Sequence, residues 1–452
     1  MGRFLAALAV PLLGCLAACQ DGADPGRAPQ PPAAEPDPRP DVVLIMLDTL
    51  RPDHLQHYGY PKPTSPFLAE LGESSAVFTR ALSTSSWTAP AVTSILTGLY
   101  PTDHGIIEGF LAFLRREQKE GAEVLPLNRL PADIGTMPQR FQAAGFRTFG
   151  VATNLNVGPE IGLDRGFERF AQVRKGDAAA VAAKLGEWRQ ELAEPGRPDF
   201  VYLHFMDVHE PYHMREPWYE KQRGTVFEMQ ARYDSELRYL DEQLRALFDG
   251  YGWGENTLLV VVSDHGEEFR EHGQMGHEFT LYEELNRVVM MVRPPGGMAG
   301  RVIDTNVSLI DVLPTTLALA GVEVPPGLAG MSLAPLIQGQ PDAPAAFRRR
   351  TLFAHRFQVL PRPEHLWAAV HEGRKLILGP GGEQLFDLTT DPGEKHNLLE
   401  GDPAAGSELR LKLAEFRARP FRQTEKVEVE VDAGLISDLN DLGYVESEDP
   451  ED

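Results

Sequence analysis

Four short apolar runs end in carboxylate, amide or imidazole side chains, and this repeated arrangement constrains the fold more than any other feature of the chain. The runs, each with the polar residues that follow it, are Val42–Leu47 with Asp48, Arg147–Ala152 with Asn154, Phe200–Phe205 with Asp207 and His209, and Leu258–Val262 with Asp264 and His265. Amphipathic helical stretches separate the runs, which is typical of a largely parallel sheet covered by helices on both faces. Because such sheets bind ligands outside the carboxyl ends of their strands, the four runs predict one cleft.

The remaining pattern extends this α/β fold and divides it into domains. Predicted helices cover Pro66–Ser75, Pro90–Gly98, Pro131–Gly145, Ala178–Glu194, Gln230–Asp249 and Asn306–Gly321. Short strand patterns near 350–354, 367–370, 375–378 and 384–387, followed by a helix over Ala404–Arg417, predict a small C-terminal antiparallel sheet. We therefore predict a catalytic domain over 41–340, a C-terminal α+β subdomain over 341–420 and a C-terminal tail over 421–452.

The N-terminal segment differs from the folded part. An apolar stretch from Phe4 to Leu16 is too short to span a bilayer and has the pattern of a secretory leader. It ends in Leu16-Ala17-Ala18-Cys19, which resembles a bacterial lipobox, although ordinary cleavage after Ala18 is the alternative. We predict a signal peptide over 1–18, a disordered tether over 19–40, and a lipid on Cys19 that anchors the protein to a membrane of the bacterial cell envelope, facing the periplasm or the exterior.

Charge and cysteine content limit the chemistry. The formal net charge of -23 argues against nucleic acid as a partner, because the chain would repel a polyanion. The two cysteines, Cys15 and Cys19, both lie before the folded domain, so that domain has neither an intrachain disulfide nor a cysteine-based zinc site. Catalysis is therefore left to oxygen and nitrogen groups.

The segment from Thr88 to Gly98 ends a loop and opens a helix at Pro90. Proline suits the first helical turn, so Thr88 is predicted to lie just before a helix N-terminus, where free N–H groups and the helix dipole favour a bound oxyanion. The alternative is that Thr88 only caps the helix.

This segment resembles the sulfatase signature, in which Cys or Ser is followed by x-Pro-x-Arg and later by Leu-Thr-Gly. Pro90 and Leu96-Thr97-Gly98 match that spacing, whereas Thr88 replaces the Cys or Ser and Val92 replaces the Arg. Family landmarks recur from about Asp41 to Tyr444. The resemblance implies the sulfatase family of the alkaline phosphatase superfamily, with an alkaline-phosphatase-like fold and ester hydrolase activity.

Thr88 changes the chemistry that the resemblance implies. Conversion to formylglycine requires two hydrogens on the β-carbon and threonine has one, so no formylglycine is expected. The site then resembles that of Thr-dependent relatives such as lipoteichoic acid synthases and phosphoethanolamine transferases. By this resemblance, Thr88 attacks phosphorus or sulfur in line and forms a covalent ester, which water or an acceptor alcohol resolves.

The expected metal ligands are Asp48, Asp264, His265 and the Thr88 hydroxyl, which together offer three side-chain oxygens and one imidazole. This set suits one Zn²⁺ or Mn²⁺ ion better than Ca²⁺, which prefers sites made only of oxygen ligands. Ca²⁺ and Mg²⁺ are the alternatives. Calcium sulfatases usually carry Asp and Asn where this chain has Thr49 and His265, so the resemblance implies the transition-metal branch. The sequence leaves open whether a second metal ion binds.

The resemblance also assigns two catalytic histidines. The segment Asp207–Tyr212 resembles the family's Asp-x-His-x-Pro-Tyr loop, whose histidine contacts the transferred group, so His209 is assigned to that role. His277 stands where many sulfatases have a lysine and is expected to donate to the ester oxygen or to protonate the leaving group. For His272, the sequence is equally consistent with a role in the site and with a structural role. The chain has Ala152-Thr153-Asn154 in place of the usual Gly-Lys-Trp, which weakens the case for a standard sulfate ester.

We therefore predict a metal-dependent hydrolase or transferase that acts on sulfate or phosphate esters of a small molecule, glycan or lipid at the cell envelope. The sequence does not distinguish sulfur from phosphorus or identify the alcohol, because the loops over 108–130 and 214–224 carry no readable motif. The alternative is a catalytically silent envelope lipoprotein that binds sulfated or phosphorylated glycans, and it predicts that the metal ligands are lost.

Overall fold

The computed structural model describes residues 37–110, 124–340, 343–358 and 364–430, with residues 434 and 437. The predicted signal peptide, the tether up to residue 36 and the landmark Tyr444 lie outside these ranges. Within them, no helix combines the length and the apolar character that crossing a bilayer requires.

The strands in chain order are β1 (Asp41–Leu47), β2 (Ala76–Phe78), β3 (Ala81–Leu82), β4 (Val124–Arg129), β5 (Arg147–Ala152), β6 (Arg169–Gln172), β7 (Asp199–Phe205), β8 (Thr257–Ser263), β9 (Glu268–Phe269), β10 (Met275–Gly276), β11 (Arg287–Val288), β12 (Met290–Arg293), β13 (Arg301–Ile303), β14 (Val307–Ser308), β15 (Leu352–Gln358), β16 (Glu364–His371), β17 (Arg374–Gly379), β18 (Gly382–Asp387) and β19 (Glu425–Glu430). The helices are α1 (Pro66–Gly72), α2 (Thr88–Thr97), α3 (Pro101–His104), α4 (Met137–Ala143), α5 (Ala178–Gly186), α6 (Arg189–Leu192), α7 (Thr225–Tyr251), α8 (Glu283–Asn286), α9 (Val312–Leu319), α10 (Ala334–Ile337), α11 (Ala343–Arg348) and α12 (Ser407–Arg417).

The main sheet has eight strands in the order β13-β2-β12-β8-β1-β7-β5-β6. All four predicted strands, β1, β5, β7 and β8, lie in its parallel centre, and β12 runs antiparallel beside β8. Side chains of β1 alternate between two buried cores: Val42, Leu44 and Met46 face one, while Val43, Ile45 and Leu47 face the other. A strand buried on both faces reads as a continuous apolar run, which is the pattern that the sequence shows.

A second, antiparallel sheet follows in the order β15-β16-β17-β18. Helix α12 covers it with Leu409, Leu413 and Phe416, which form one apolar cluster with Trp367 of β16. Both the large mostly parallel sheet and the small C-terminal antiparallel sheet are therefore confirmed. Within the segment predicted as a C-terminal tail, β19 pairs with β4.

Local capping moves some predicted helix boundaries. The helix predicted over Pro131–Gly145 begins only at Met137, because Thr136 and Gln139 form a capping box at its N-terminus. The single helix predicted over Ala178–Glu194 is two helices, α5 and α6, and the first ends at Gly186, a residue of low helix propensity.

Candidate active site

The register of the main sheet brings two acidic residues together. Leu47 of β1 lies opposite Ser263 of β8 in a parallel pair, so the next residues, Asp48 and Asp264, leave the same edge of the sheet side by side. Asp48, Asp264 and His265 each offer one ligand atom, and these three atoms lie within 4.8 Å of one another. All three side chains are fully buried. The alternative of a silent glycan-binding protein predicts the loss of this set, and the set is present.

Thr88 completes the cluster from the N-terminus of α2. Its Oγ1 lies 3.4 Å from both carboxylate oxygens of Asp48 and 3.3 Å from Nε2 of His265. The helix begins at Thr88, two residues before the predicted start, and its N-cap is the extended residue Trp87. The Thr88 hydroxyl is therefore turned towards the buried ligands and does not cap the helix.

A hydrogen bond fixes the tautomer of His265. Its Nδ1 lies 2.9 Å from the carbonyl oxygen of Gly266, so Nδ1 carries the proton and Nε2 presents a lone pair to the cluster. Gly266 itself leaves no room for a side chain, because a Cβ there would lie 2.0 Å from the carbonyl oxygen of Glu284. The glycine thus allows the close chain crossing that aims His265 at Thr88 and Asp48.

The carboxylates of Asp48 and Asp264 are buried next to each other. Asp264 Oδ1 accepts hydrogen bonds from the backbone N–H groups of His265 and Thr49, at 2.9 and 3.3 Å. Its Oδ2 is buried without a hydrogen-bond partner. Burial and the neighbouring Asp48 carboxylate raise the pKa of Asp264, because two buried negative charges repel each other. A divalent cation between these groups would remove that conflict.

Distances within the cluster agree with such a cation. His265 Nε2 lies 3.5 Å from Asp48 Oδ1, 3.5 Å from Asp264 Oδ2 and 3.3 Å from Thr88 Oγ1. Ligand atoms bound tetrahedrally at about 2.0–2.1 Å, as around Zn²⁺, are separated by about 3.4 Å. The three distances to His265 Nε2 and the 3.4 Å distance between Thr88 Oγ1 and Asp48 Oδ1 are close to this value.

The two histidines assigned by resemblance lie beside this cluster. The ring of His277 is centred 4.7 Å from the ring of His265 and 4.9 Å from that of His209. Nδ1 of His277 lies 3.1 Å from a carboxylate oxygen of Glu267, while Nδ1 of His209 lies 2.6 Å from the carbonyl oxygen of Glu210. Burial, together with the neighbouring imidazoles, lowers the pKa of His277. Both rings are nearly buried.

Three further residues of the site carry weaker signals in the sequence. Asn154, which follows β5, donates from Nδ2 to Asp48 Oδ2 at 2.8 Å and approaches Thr88 Oγ1 at 3.4 Å. His204 is fully buried in β7, and its Nε2 lies 3.6 Å from Asp48 Oδ2. Burial raises the pKa of Glu267 to about 7. A histidine within an otherwise apolar strand is the signal that could have identified His204.

His272 has a structural role in the described part of the chain. Its Nδ1 lies 2.5 Å from Glu284, its Nε2 lies 3.2 Å from the carbonyl oxygen of Glu394, and its ring stacks on Tyr282. Both ring nitrogens are thus engaged in linking the β9–β10 hairpin to the C-terminal subdomain. These contacts favour the structural one of the two roles that the sequence left open for His272.

Comparison with known protein families gives two matches. Residues 40–322 match the sulfatase family model, and residues 270–418 match the model of the C-terminal region of N-sulphoglucosamine sulphohydrolase. The first match alone covers more than half of the chain and contains Thr88, the buried residues Asp48, Asp264 and His265, and the two histidines assigned by resemblance.

Individual proteins agree with this assignment. Over 201 residues, 43% of this chain and 41% of that protein, the chain is 27% identical to a Δ4,5-hexuronate-2-O-sulfatase of Bacteroides thetaiotaomicron. It is 24% identical to arylsulfatase A of Bos taurus over 499 residues, with 91% of each chain covered. The phosphonate monoester hydrolase of Agrobacterium radiobacter has the same fold, with a TM-score of 0.68, 18% identity, and coverage of 87% of this chain and 100% of that one.

The expectation of a cofactor set without formylglycine is wrong for this family. The matched sulfatases use formylglycine together with a metal ion, and the match over residues 40–322 includes position 88. The expectation was drawn from the β-carbon of Thr88 alone and set aside the cofactor of the family that the rest of the chain matches.

The sheet, the buried ligand cluster at its edge and the extended family match all lead to the same assignment. The chain belongs to the sulfatase family of the alkaline phosphatase superfamily and is an ester hydrolase.

Proposed function

We propose that this chain hydrolyses sulfate or phosphonate esters with residue Thr88 as nucleophile, beside a divalent cation held by Asp48, Asp264 and His265. One observation carries the proposal: Thr88 Oγ1 lies 3.3 Å from His265 Nε2 and 3.4 Å from both oxygens of Asp48. A hydroxyl within a cluster of metal-ligating atoms has the placement that an activated nucleophile needs.

Bound there, a divalent cation would lower the pKa of the hydroxyl and offset negative charge on the transferred group. The chain supplies the remaining groups. Helix α2 directs the positive end of its dipole at the region around Thr88, which favours an anion. The amide of Asn154 donates to Asp48 at 2.8 Å, and the same nitrogen lies 3.4 Å from Thr88 Oγ1. The lone pair of His265 faces the ligand cluster because its other nitrogen is fixed on Gly266.

The reaction we propose has two displacements. In the first, Thr88 Oγ1 gives up its proton and forms a bond to the sulfur or phosphorus atom, while the bond to the leaving oxygen breaks and that oxygen takes up a proton. In the second, water attacks the same atom, releases the sulfate or phosphonate and restores the threonine hydroxyl. We assign the transfer of the Thr88 proton to the leaving oxygen to the neutral imidazole of His277, which lies 3.1 Å from Glu267, and contact with the transferred group to His209.

Trapping the covalent ester tests the nucleophile. Purified protein would be acid-quenched during turnover of an aryl sulfate and of an aryl phosphonate monoester, and the peptide that contains residue 88 would be analysed by mass spectrometry. We expect an added sulfo group or an added phosphonyl group that keeps its P–C bond on residue 88 in quenched protein, and neither in resting protein. An ester formed on another residue, or no ester on any residue, would contradict the proposal.

The same two substrates decide between sulfur and phosphorus. The similar proteins include both a hexuronate-2-O-sulfatase and, by fold, a phosphonate monoester hydrolase. Because Ala152-Thr153-Asn154 stands in place of the usual Gly-Lys-Trp and supplies no cation, we expect kcat/KM to be higher for the phosphonate monoester than for the aryl sulfate. Metal-free protein should be inactive towards both, and activity should return with Zn²⁺ or Mn²⁺.

We also propose that the protein acts at the bacterial cell envelope, anchored through a lipid on Cys19. The support is the apolar leader and its Leu16-Ala17-Ala18-Cys19 ending. Metabolic labelling with a palmitate analogue should mark the wild-type protein and leave a Cys19→Ser variant unlabelled. Equal labelling of both proteins would contradict the anchor.

A further inference from the structure

The residue directly after Asp48 has a backbone conformation that its side chain disfavours. Thr49 is fully buried and has a φ of 56°, in the left-handed region. A β-branched residue rarely adopts this conformation, so neighbouring groups must hold it in place.

The conformation of Thr49 serves the ligand cluster. Its backbone N–H donates to Asp264 Oδ1 at 3.3 Å, and its hydroxyl donates to the carbonyl oxygen of Val208 at 2.9 Å. The first bond leaves Asp264 Oδ2 directed at His265, and the second ties β1 to the loop that carries His209. Because φ of Thr49 sets the angle between this N–H and the chain that follows, an extended Thr49 would not keep the N–H on Asp264 with the next residues in their present place.

A tyrosine from a distant helix holds the chain on both sides of this bend. Tyr233, on α7, donates its hydroxyl to the carbonyl oxygen of Thr49 at 3.0 Å and accepts the backbone N–H of Arg51 at 2.9 Å. Tyr233 is fully buried, and its ring packs edge-on against Phe269 and Tyr212. The Tyr233 hydroxyl is thus both donor and acceptor to the segment from Thr49 to Arg51, and it opposes a return of Thr49 to negative φ.

We propose that Tyr233 is a positioning residue for the metal site: it keeps Thr49 left-handed so that the Thr49 N–H fixes the Asp264 carboxylate in its ligating orientation. Tyr233 itself touches none of the ligands in this scheme. The inference rests on the proposed function, because it assumes that Asp264 binds a cation.

Binding of Mn²⁺ and of Zn²⁺ to metal-free full-length protein tests this role. In Tyr233→Phe we expect the Kd for each ion to rise by about 10- to 100-fold, the usual effect of losing a group that orients a metal ligand. At saturating metal, kcat should recover to within about threefold of wild type, because the groups that react are unchanged. The matched control is Tyr239→Phe on the same helix, which removes a hydroxyl bonded to Asp177 and should leave the Kd unchanged.

A second substitution separates positioning from general packing. Glycine adopts positive φ without strain, so Thr49→Gly should reduce the dependence on Tyr233. We expect Tyr233→Phe to raise the Kd less when combined with Thr49→Gly than in wild type. If Tyr233→Phe fails to fold, the same reasoning predicts that the double variant folds and binds metal. Equal effects of Tyr233→Phe with and without Thr49→Gly, or an unfolded double variant, would overturn the role.

The proposed metal site and the proposed role of Tyr233 fail in different ways. If wild-type protein binds neither Mn²⁺ nor Zn²⁺, or if Asp264→Asn binds them as wild type does, the metal site is wrong. If wild type binds metal through Asp264 and Tyr233→Phe binds it equally well, only the role of Tyr233 is wrong.

Discussion

The Thr88 hydroxyl lies 3.3 Å from Nε2 of His265, although 177 residues separate the two in the chain. Helix α2 delivers the first residue and the end of strand β8 delivers the second. Because each of these elements is buried on several sides, the contact depends on the packing of the whole domain and not on a flexible loop. We therefore expect substitutions at this contact to change activity, whereas substitutions at buried charges elsewhere in the fold should change stability.

Replacing Thr88 by valine should remove activity while keeping the shape of the site. Valine lacks the hydroxyl but matches threonine in volume, so we expect kcat to fall by at least about 10³-fold, as for loss of other nucleophiles. The control is Thr93→Val on the same helix, whose buried hydroxyl donates only to the carbonyl oxygen of Ala89. Steady-state assays of both variants with an aryl phosphonate monoester measure the difference, and similar losses in the two would argue against Thr88 as nucleophile.

Metal should stabilise the fold through Asp264. A ligand at 100 times its Kd adds about 2.7 kcal/mol to the free energy of unfolding, so Zn²⁺ or Mn²⁺ should raise the Tm of wild type. Asp264→Asn should lose this increase and, because one buried charge is gone, should be no less stable than wild type without metal. Asp241→Asn, which affects a buried carboxylate that caps α1, should lower the Tm and keep the metal-dependent increase. Thermal unfolding with metal or with chelator distinguishes these outcomes.

Acid should destabilise the domain partly through His104. The side chain is fully buried; its Nδ1 accepts the N–H of Ile106, and its other nitrogen donates to Ser94. Burial lowers the pKa of His104 from 6.5 to about 3. The unfolded chain therefore binds a proton below pH 6.5 that the folded chain does not. The stability that the neutral His104 contributes is thus complete above pH 6.5 and is lost progressively towards pH 3.

A His104→Asn variant measures that contribution. Each proton bound only by the unfolded state lowers stability by about 1.4 kcal/mol per pH unit. We expect the free energy of unfolding to decrease less steeply between pH 6.5 and pH 5 in the variant than in wild type, by up to that amount per pH unit. Urea titrations at several pH values provide the slopes, and parallel slopes would show that His104 takes up no proton on unfolding.

Lys375 should stabilise the interface between the main domain and the C-terminal sheet. This lysine is fully buried on β17, with Glu283 at 3.0 Å and Glu394 at 3.2 Å. Lys375→Met leaves these carboxylates without their cation and should cost about 3–5 kcal/mol in the free energy of unfolding. Adding Glu394→Gln should recover part of the loss, because it removes one of the unpaired charges. Additive losses in the double variant would contradict this account.

The fold and the ligand cluster could largely be predicted from the sequence. The apolar runs at β1, β5, β7 and β8 are central strands, and the polar residues at their ends converge because parallel strands end at one edge of a sheet. Asp48, Asp264 and His265 lie together where that rule puts them. Helix boundaries were less predictable, because capping at Thr136 and the break after Gly186 depend on local hydrogen bonds and not on periodicity.

The sequence by itself determined the set of helices and strands and the kinds of polar group at the strand ends. The reason is that apolar runs must be buried and that the order of the residues fixes which end of a strand carries the polar groups. Only the tertiary structure decided which nitrogen of His265 faces Thr88, that His204 approaches Asp48, and that Tyr233 supports the bend at Thr49. These relationships join residues far apart in the chain, and their geometry follows from side-chain packing between elements, which no local pattern encodes.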